Sequence, residues 1–158
     1  IYRLVCANGL MVGNTFESVR VRHVGMHALD NAVQGAFKVA GQVQTASDSI
    51  HSMKSVQLSA VQQLEFADAA WQLIKPDNAV QFEVRSLLKA RRAGDVGTDL
   101  WTVFNRLQES LIRGGFQYTS VNSNNVVRTV GRRAVKSIDA QVKLNRALWN
   151  IAEQYIAK

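Results

Sequence analysis

The sequence contains one cysteine, Cys6, and one proline, Pro76, among 158 residues. A lone thiol excludes an intrachain disulfide framework, which points to a reducing, cytoplasmic setting. No apolar run approaches the roughly 20 residues that a helix needs to cross a bilayer, so no membrane partner is expected. Nor does the start of the chain resemble a leader peptide, and none is expected. Arg3 and Asn8 interrupt its apolar start, and no small-residue cleavage site follows. An initiator Met is missing as well, because the chain begins inside the run Ile1-Tyr2-Arg3-Leu4-Val5. The expectation is a C-terminal fragment of a longer protein, folding as a single domain over 1–158. Gly-rich phosphate loops of the Walker and Rossmann types are absent, and no cofactor is expected.

What is present is ordinary in amount and uneven in placement. Hydrophobic residues make up 47% and charged residues 20%, proportions that suit a globular chain with its own core. The net charge is +7. Residues 1–110 hold 11 basic and 10 acidic side chains, whereas residues 111–158 hold eight basic against only Asp139 and Glu153. Six of the seven net positive charges therefore lie in the last third. Such a region attracts polyanions through long-range fields and counterion release, which means nucleic acid or an acidic protein surface.

The N-terminal residues read as β structure. Tyr2-Arg3-Leu4-Val5 is a short strand, and Asn8-Gly9 is a turn in which both residues tolerate positive φ. Leu10-Met11-Val12 continues the apolar pattern to a second turn at Gly13-Asn14. Ser18 to Val24 alternates apolar and polar residues with period two, so that Arg20 and Arg22 share a wet face.

Helix is expected after Gly25. Apolar residues recur at spacings of three and four from His27 to about Lys54, with Gly35 and Gly41 as weak points. A second helix is expected over 55–75, stopped by Lys75-Pro76-Asp77, and a third over about 79–93. The fourth starts at a Thr98 or Asp99 cap, carries Leu100, Phe104, Leu107 and Leu111, and ends at Gly114-Gly115. Segments 117–121 and 126–130 form either a β-hairpin or arms of a polar loop. A last helix runs from a Ser137 cap to about Ala157. The fold class is mainly α with a small N-terminal β element (α+β), in a compact bundle of about five helices.

Few residues point to chemistry. Cys6 and His23 would give a thiol–imidazole pair if their strands met, although no third orienting residue or oxyanion loop accompanies them. His23 and His27 have the four-residue spacing of a helical metal pair, but Gly25 separates them and no further ligand completes a set. No catalytic or metal residue is assigned. The basic cluster of Arg128, Arg132, Arg133, Lys136, Lys143 and Arg146 is the candidate nucleic-acid site. Lys136 and Lys143 fall nearly in line if the last helix extends back. Phe116 and Tyr118 lie close enough to stack on bases, or else belong to the core. Trp101, Phe104 and Trp149 read as core anchors.

Three stretches taken together resemble one family. They are Leu4-Val5-Cys6-Ala7-Asn8-Gly9-Leu10 with Val19-Arg20-Val21-Arg22-His23, then Asp99-Leu100-Trp101 through Asn105-Arg106-Leu107-Gln108-Glu109-Ser110 to Gly114-Gly115, and Arg133-Ala134-Val135-Lys136-Ser137-Ile138-Asp139 running into Lys143-Leu144-Asn145-Arg146. In this order they resemble the C-terminal part of the YfjQ/YafZ family of prophage, genomic-island and plasmid proteins, also known as domain of unknown function 932. The resemblance implies mobile-element biology and brings no catalytic residues. Ala7 and Ser110 depart from the residues usual there. The loop before Arg128 is rich in Asn and Ser, where relatives are more basic.

The leading expectation is a non-enzymatic accessory factor associated with DNA or RNA. The alternative is a protein-binding module acting on an acidic host or defence factor, and the third is an enzyme using Cys6 and His23.

Overall fold

A computed structural model describes residues 2–5, 8–17 and 27–157. The strand expected over 18–24 lies outside them, as do Cys6 and His23. Strands β1 (Tyr2–Val5) and β2 (Met11–Glu17) pair antiparallel, with Tyr2 opposite Glu17 and Val5 opposite Met11. Asn8-Gly9 turns the chain between them. Gly9 takes φ +75°, and Asn8 Oδ1 accepts from Leu10 N at 2.9 Å. The second turn expected at Gly13-Asn14 does not form, because β2 continues through both residues.

Helices α1 (His27–Gly41) and α2 (Val43–Ser55) occupy the stretch expected to be one helix. The ladder changes step at Gln42, whose N–H donates three residues back to Val39 at 3.1 Å, directly after the weak point Gly41. The next helix starts later than its periodicity implies. Residues 56–58 are held extended against 98–100, with Leu58 N donating to Thr98 O and Leu100 N to Val56 O. Ser59 then caps α3 (Ala60–Gln72) in a reciprocal box with Gln62.

No α-helix forms over 79–93. Ala79–Gln81 is instead strand β3, paired antiparallel with β4 (Gln117–Val121), followed by 3-10 turns at Val84–Leu88 and Ala93–Asp95. Phe82, off the expected helical stripe, stacks on Trp71 with ring centroids 4.1 Å apart. A free strand edge and an aromatic partner outweigh the local pattern here.

Helix α4 (Leu100–Arg113) keeps its expected bounds, with Asp99 Oδ1 accepting from Thr102 N at 3.0 Å. The segment after it is a hairpin, β4 with β5 (Val127–Gly131), in the sheet order β3-β4-β5. Asn122 Oδ1 accepts from both Asn124 N and Val126 N, and Asn125 takes φ +57°, so the Asn-rich stretch is an ordered turn. Helix α5 (Ile138–Ile156) begins at the expected Ser137 cap.

The fold is thus mainly helical with small antiparallel sheets, an α+β class with five α-helices among the described residues. Its core joins α3, α4 and α5 through Phe66, Trp71, Leu87, Phe104, Leu107, Leu111, Leu148 and Trp149. Trp149 meets Phe104 edge to face at 5.4 Å and Trp101 at 6.3 Å, so all three act as core anchors.

Candidate nucleic-acid interface

The chain that carries the basic cluster is pinned to the core by its backbone. Gly114, at φ +67°, ends α4 and lies so close to the next pass of the chain that a Cβ there would sit 2.5 Å from Arg132 O. Gly115 N donates to Arg132 O at 3.0 Å, Arg132 N to Phe116 O at 2.8 Å, and Val135 N to Ile112 O at 2.7 Å. Gln141, one turn into α5, donates through Nε2 to Val135 O at 2.7 Å. The segment 131–137 is therefore a fixed strap between the hairpin and α5.

Two open grooves flank this strap. One, of about 690 Å³, is lined by Tyr118, Val130, Arg132, Arg133 and Val135. The other, of about 400 Å³, is lined by Leu73, Ile74, Arg132, Val135, Lys143 and Leu144. They meet at Arg132 and Val135. Arg132 is half-buried, and its Nε is shut off from solvent with no hydrogen-bond partner.

The structure gathers part of the expected set. Arg132 and Arg133 line one groove, and Arg132 and Lys143 the other. Arg128 on β5, Arg146 on α5 and Lys136 are exposed beside them and line neither groove. Lys136 is not in line with Lys143, because Ser137 is extended and α5 starts only at Ile138. Phe116 is buried against Phe82 and Trp71, which removes it as a stacking surface, whereas Tyr118 reaches the groove wall.

Charge use separates these cations from the arginines nearer the core. Arg91 donates to Gly114 O at 2.6 Å, and Arg92 bridges Asp95 and Glu109, each at 2.9 Å. Arg106 donates to Gly97 O at 3.0 Å, and burial pushes its guanidinium below the usual range while Asp95 and Asp99 oppose that shift. Arg113 reaches Glu109 at 3.3 Å and Asn8 O at 2.7 Å. Among the described residues, none of Arg128, Arg132, Arg133, Lys136, Lys143 and Arg146 makes a side-chain hydrogen bond or ion pair. These six charges are uncommitted.

A second polar constellation is buried, and periodicity alone does not reveal it. Gln108 on α4 donates through Nε2 to Met11 O at 2.7 Å and to Asn145 Oδ1 on α5, while its Oε1 accepts from Asn8 Nδ2 at 3.1 Å. Asn105 Oδ1 accepts from the same Asn8 amide at 3.3 Å. The signal available in the sequence is an amide where a core residue belongs. Gln108 follows Phe104 by four, and Asn145 lies on the apolar stripe of the last helix. With every amide paired to another or to backbone, the arrangement ties the N-terminal turn to α4 and α5. Among the described residues, no group of three His, Cys, Asp or Glu side chains is placed to hold a metal ion. No helix among them is long and apolar enough to cross a membrane.

Comparison with known proteins places this architecture. Residues 1–149 match the family described as domain of unknown function (DUF932). The chain belongs to that family. It is 35% identical over its whole length to the UPF0380 protein YfjQ of Escherichia coli (strain K12), of which it covers 56%. Identity to the UPF0380 protein YafZ of the same organism is also 35%, again over the whole chain and 56% of the relative. The chain thus spans little more than half the length of these relatives. No solved structure matches it.

Proposed function

We propose that this chain is a non-enzymatic accessory factor of mobile genetic elements that associates with nucleic acid through the last third of its sequence. The observation that carries the reading is uncommitted charge gathered beside one strap and its two grooves. Arg91, Arg92, Arg106 and Arg113 satisfy internal carbonyls and carboxylates, whereas the cations around the strap have no such partners among the described residues. Phosphate positioning requires cations that are free to leave water together, on a backbone held still. The strap supplies the second condition through its hydrogen bonds to Ile112, Phe116 and Gly115.

Under this reading Arg132, Arg133 and Lys143 contact phosphates directly, and Arg128, Lys136 and Arg146 extend the field. The lone cysteine and the lack of Asp or Glu among the described residues lining the grooves fit a binding role in a reducing compartment. Charge reversal of Arg132, Arg133, Lys136 and Lys143 together should abolish binding to DNA or RNA while leaving the circular dichroism spectrum intact. No mobility shift of the wild-type protein with either nucleic acid at low salt would contradict the reading. Capture of an acidic protein under the same conditions would point instead to a protein-binding module.

A further inference from the structure

Resting on the nucleic-acid reading above, we propose that the substrate is single-stranded, with Tyr118 as the surface on which an unpaired base stacks and Arg132, Arg133 and Lys143 as the flanking phosphate contacts. Three observations carry this. The first is shape. Arg132, Arg133 and Lys143 line grooves of about 690 and 400 Å³. Duplex DNA turns a convex, charged backbone outward and hides its base faces, so it meets a helix or ribbon that enters its groove. Grooves of this size suit individual bases, whose faces a duplex keeps hidden. An unpaired strand can lay its bases in the groove and its phosphates along the rim.

The second observation is chemical. The walls of both grooves mix cations with apolar side chains, Val130 and Val135 in one and Leu73, Ile74 and Leu144 in the other. No Asp or Glu is among the described lining residues. Tyr118 stands opposite Val130 across the β4–β5 pair, and its ring is braced by Trp71 at 5.6 Å. It is therefore a half-buried aromatic at a fixed place, held by the core on one side and facing the cationic groove. Sequence-tolerant stacking needs that arrangement.

The third is the unsatisfied donor. Arg132 lines both grooves, and its Nε is buried without a partner. The rest of its guanidinium has no internal acceptor among the described residues either, and the terminal N–H groups of this half-buried side chain are the ones a phosphate oxygen can reach.

Fluorescence anisotropy with an oligothymidylate of about twenty nucleotides, and with a hairpin duplex of similar length, tests this at low salt. The wild-type protein should bind the single strand about tenfold more tightly than the duplex. Tyr118→Leu should lose that preference and keep its duplex affinity, Tyr118→Phe should retain it, and Arg133→Gln should weaken both. Photocross-linking of a 5-iodouridine-substituted strand to the wild-type protein should map the adduct to Tyr118. That readout needs no substitution to fold. Equal affinity for the two probes, or an adduct confined to residues away from the grooves, overturns the single-strand assignment and leaves the phosphate reading standing. Failure to bind either probe overturns both.

Discussion

Asn8 and Gln108, a hundred residues apart in sequence, share a buried hydrogen bond of 3.1 Å from Nδ2 to Oε1. Gln108 then passes its own amide protons to Met11 O and Asn145 Oδ1, so one side chain joins the N-terminal turn, α4 and α5. Arg113 adds a bond from Nη2 to Asn8 O at 2.7 Å. A buried amide that loses its partner costs more than the pair gained by forming. Gln108→Ala should therefore destabilise the protein by about 3 kcal/mol, combining unsatisfied acceptors with a cavity. Gln108→Glu should be worse, since it sets an acceptor against the acceptors at Met11 and Asn145. Urea denaturation measures both, and a loss below about 1 kcal/mol for either would contradict the role assigned to the hub.

The two glycines after α4 should respond unequally to the same change. Gly114 and Gly115 both have positive φ, which costs an L-residue about 1 kcal/mol. A Cβ on Gly114 would lie 2.5 Å from Arg132 O and 2.9 Å from the Arg133 carbonyl carbon, while one on Gly115 would meet only Arg91 Nη2 at 3.8 Å. Gly114→Ala should lose about 3 kcal/mol and Gly115→Ala about 1 kcal/mol. Thermal melts check the difference. Because the clash pushes on the strap itself, Gly114→Ala should also weaken nucleic-acid binding below the melting range.

Tyr155 makes stability sensitive to alkaline pH. Its hydroxyl is raised above the ordinary value of 10.0 by burial first and by the Glu65 charge second. The folded state then holds the proton more tightly than the unfolded state. Stability is fully present below about pH 10 and falls as pH rises through the folded value. Melting temperatures measured between about pH 8 and 11 should show this decline, and Tyr155→Phe should flatten it. An identical pH profile in the variant would remove Tyr155 as the cause.

The legible and illegible parts of the sequence divide along physical lines. Helix α4 carries its own cap, apolar stripe and glycine stop, so local rules suffice from Asp99 to Gly114. The same holds for α5 from Ser137 and for the turn at Asn8-Gly9. The segment 79–93 misleads because Val80, Val84, Leu87 and Leu88 have helical spacing. Its conformation is decided by the free edge of β4 and by Trp71, neither of which is local. Of the candidate site, the cationic composition is visible in the sequence. The strap is not, since it depends on the close approach of Gly114 to Arg132 across the end of α4. The amide hub was equally hidden, because its members come from three distant segments and only their placement on apolar stripes marks them.

The salt dependence of binding tests the central claim most directly. Each phosphate neutralised on a single strand contributes a slope of about −0.7 in log K against log salt, so six cations set a limit of about −4. The wild-type protein should show a slope between about −2, set by the three direct contacts, and that limit, and Arg132→Gln combined with Arg133→Gln should make it shallower by about 1.4. Binding that ignores salt, or a slope that the double variant leaves unchanged, would contradict the assignment of the strap as the phosphate-binding surface.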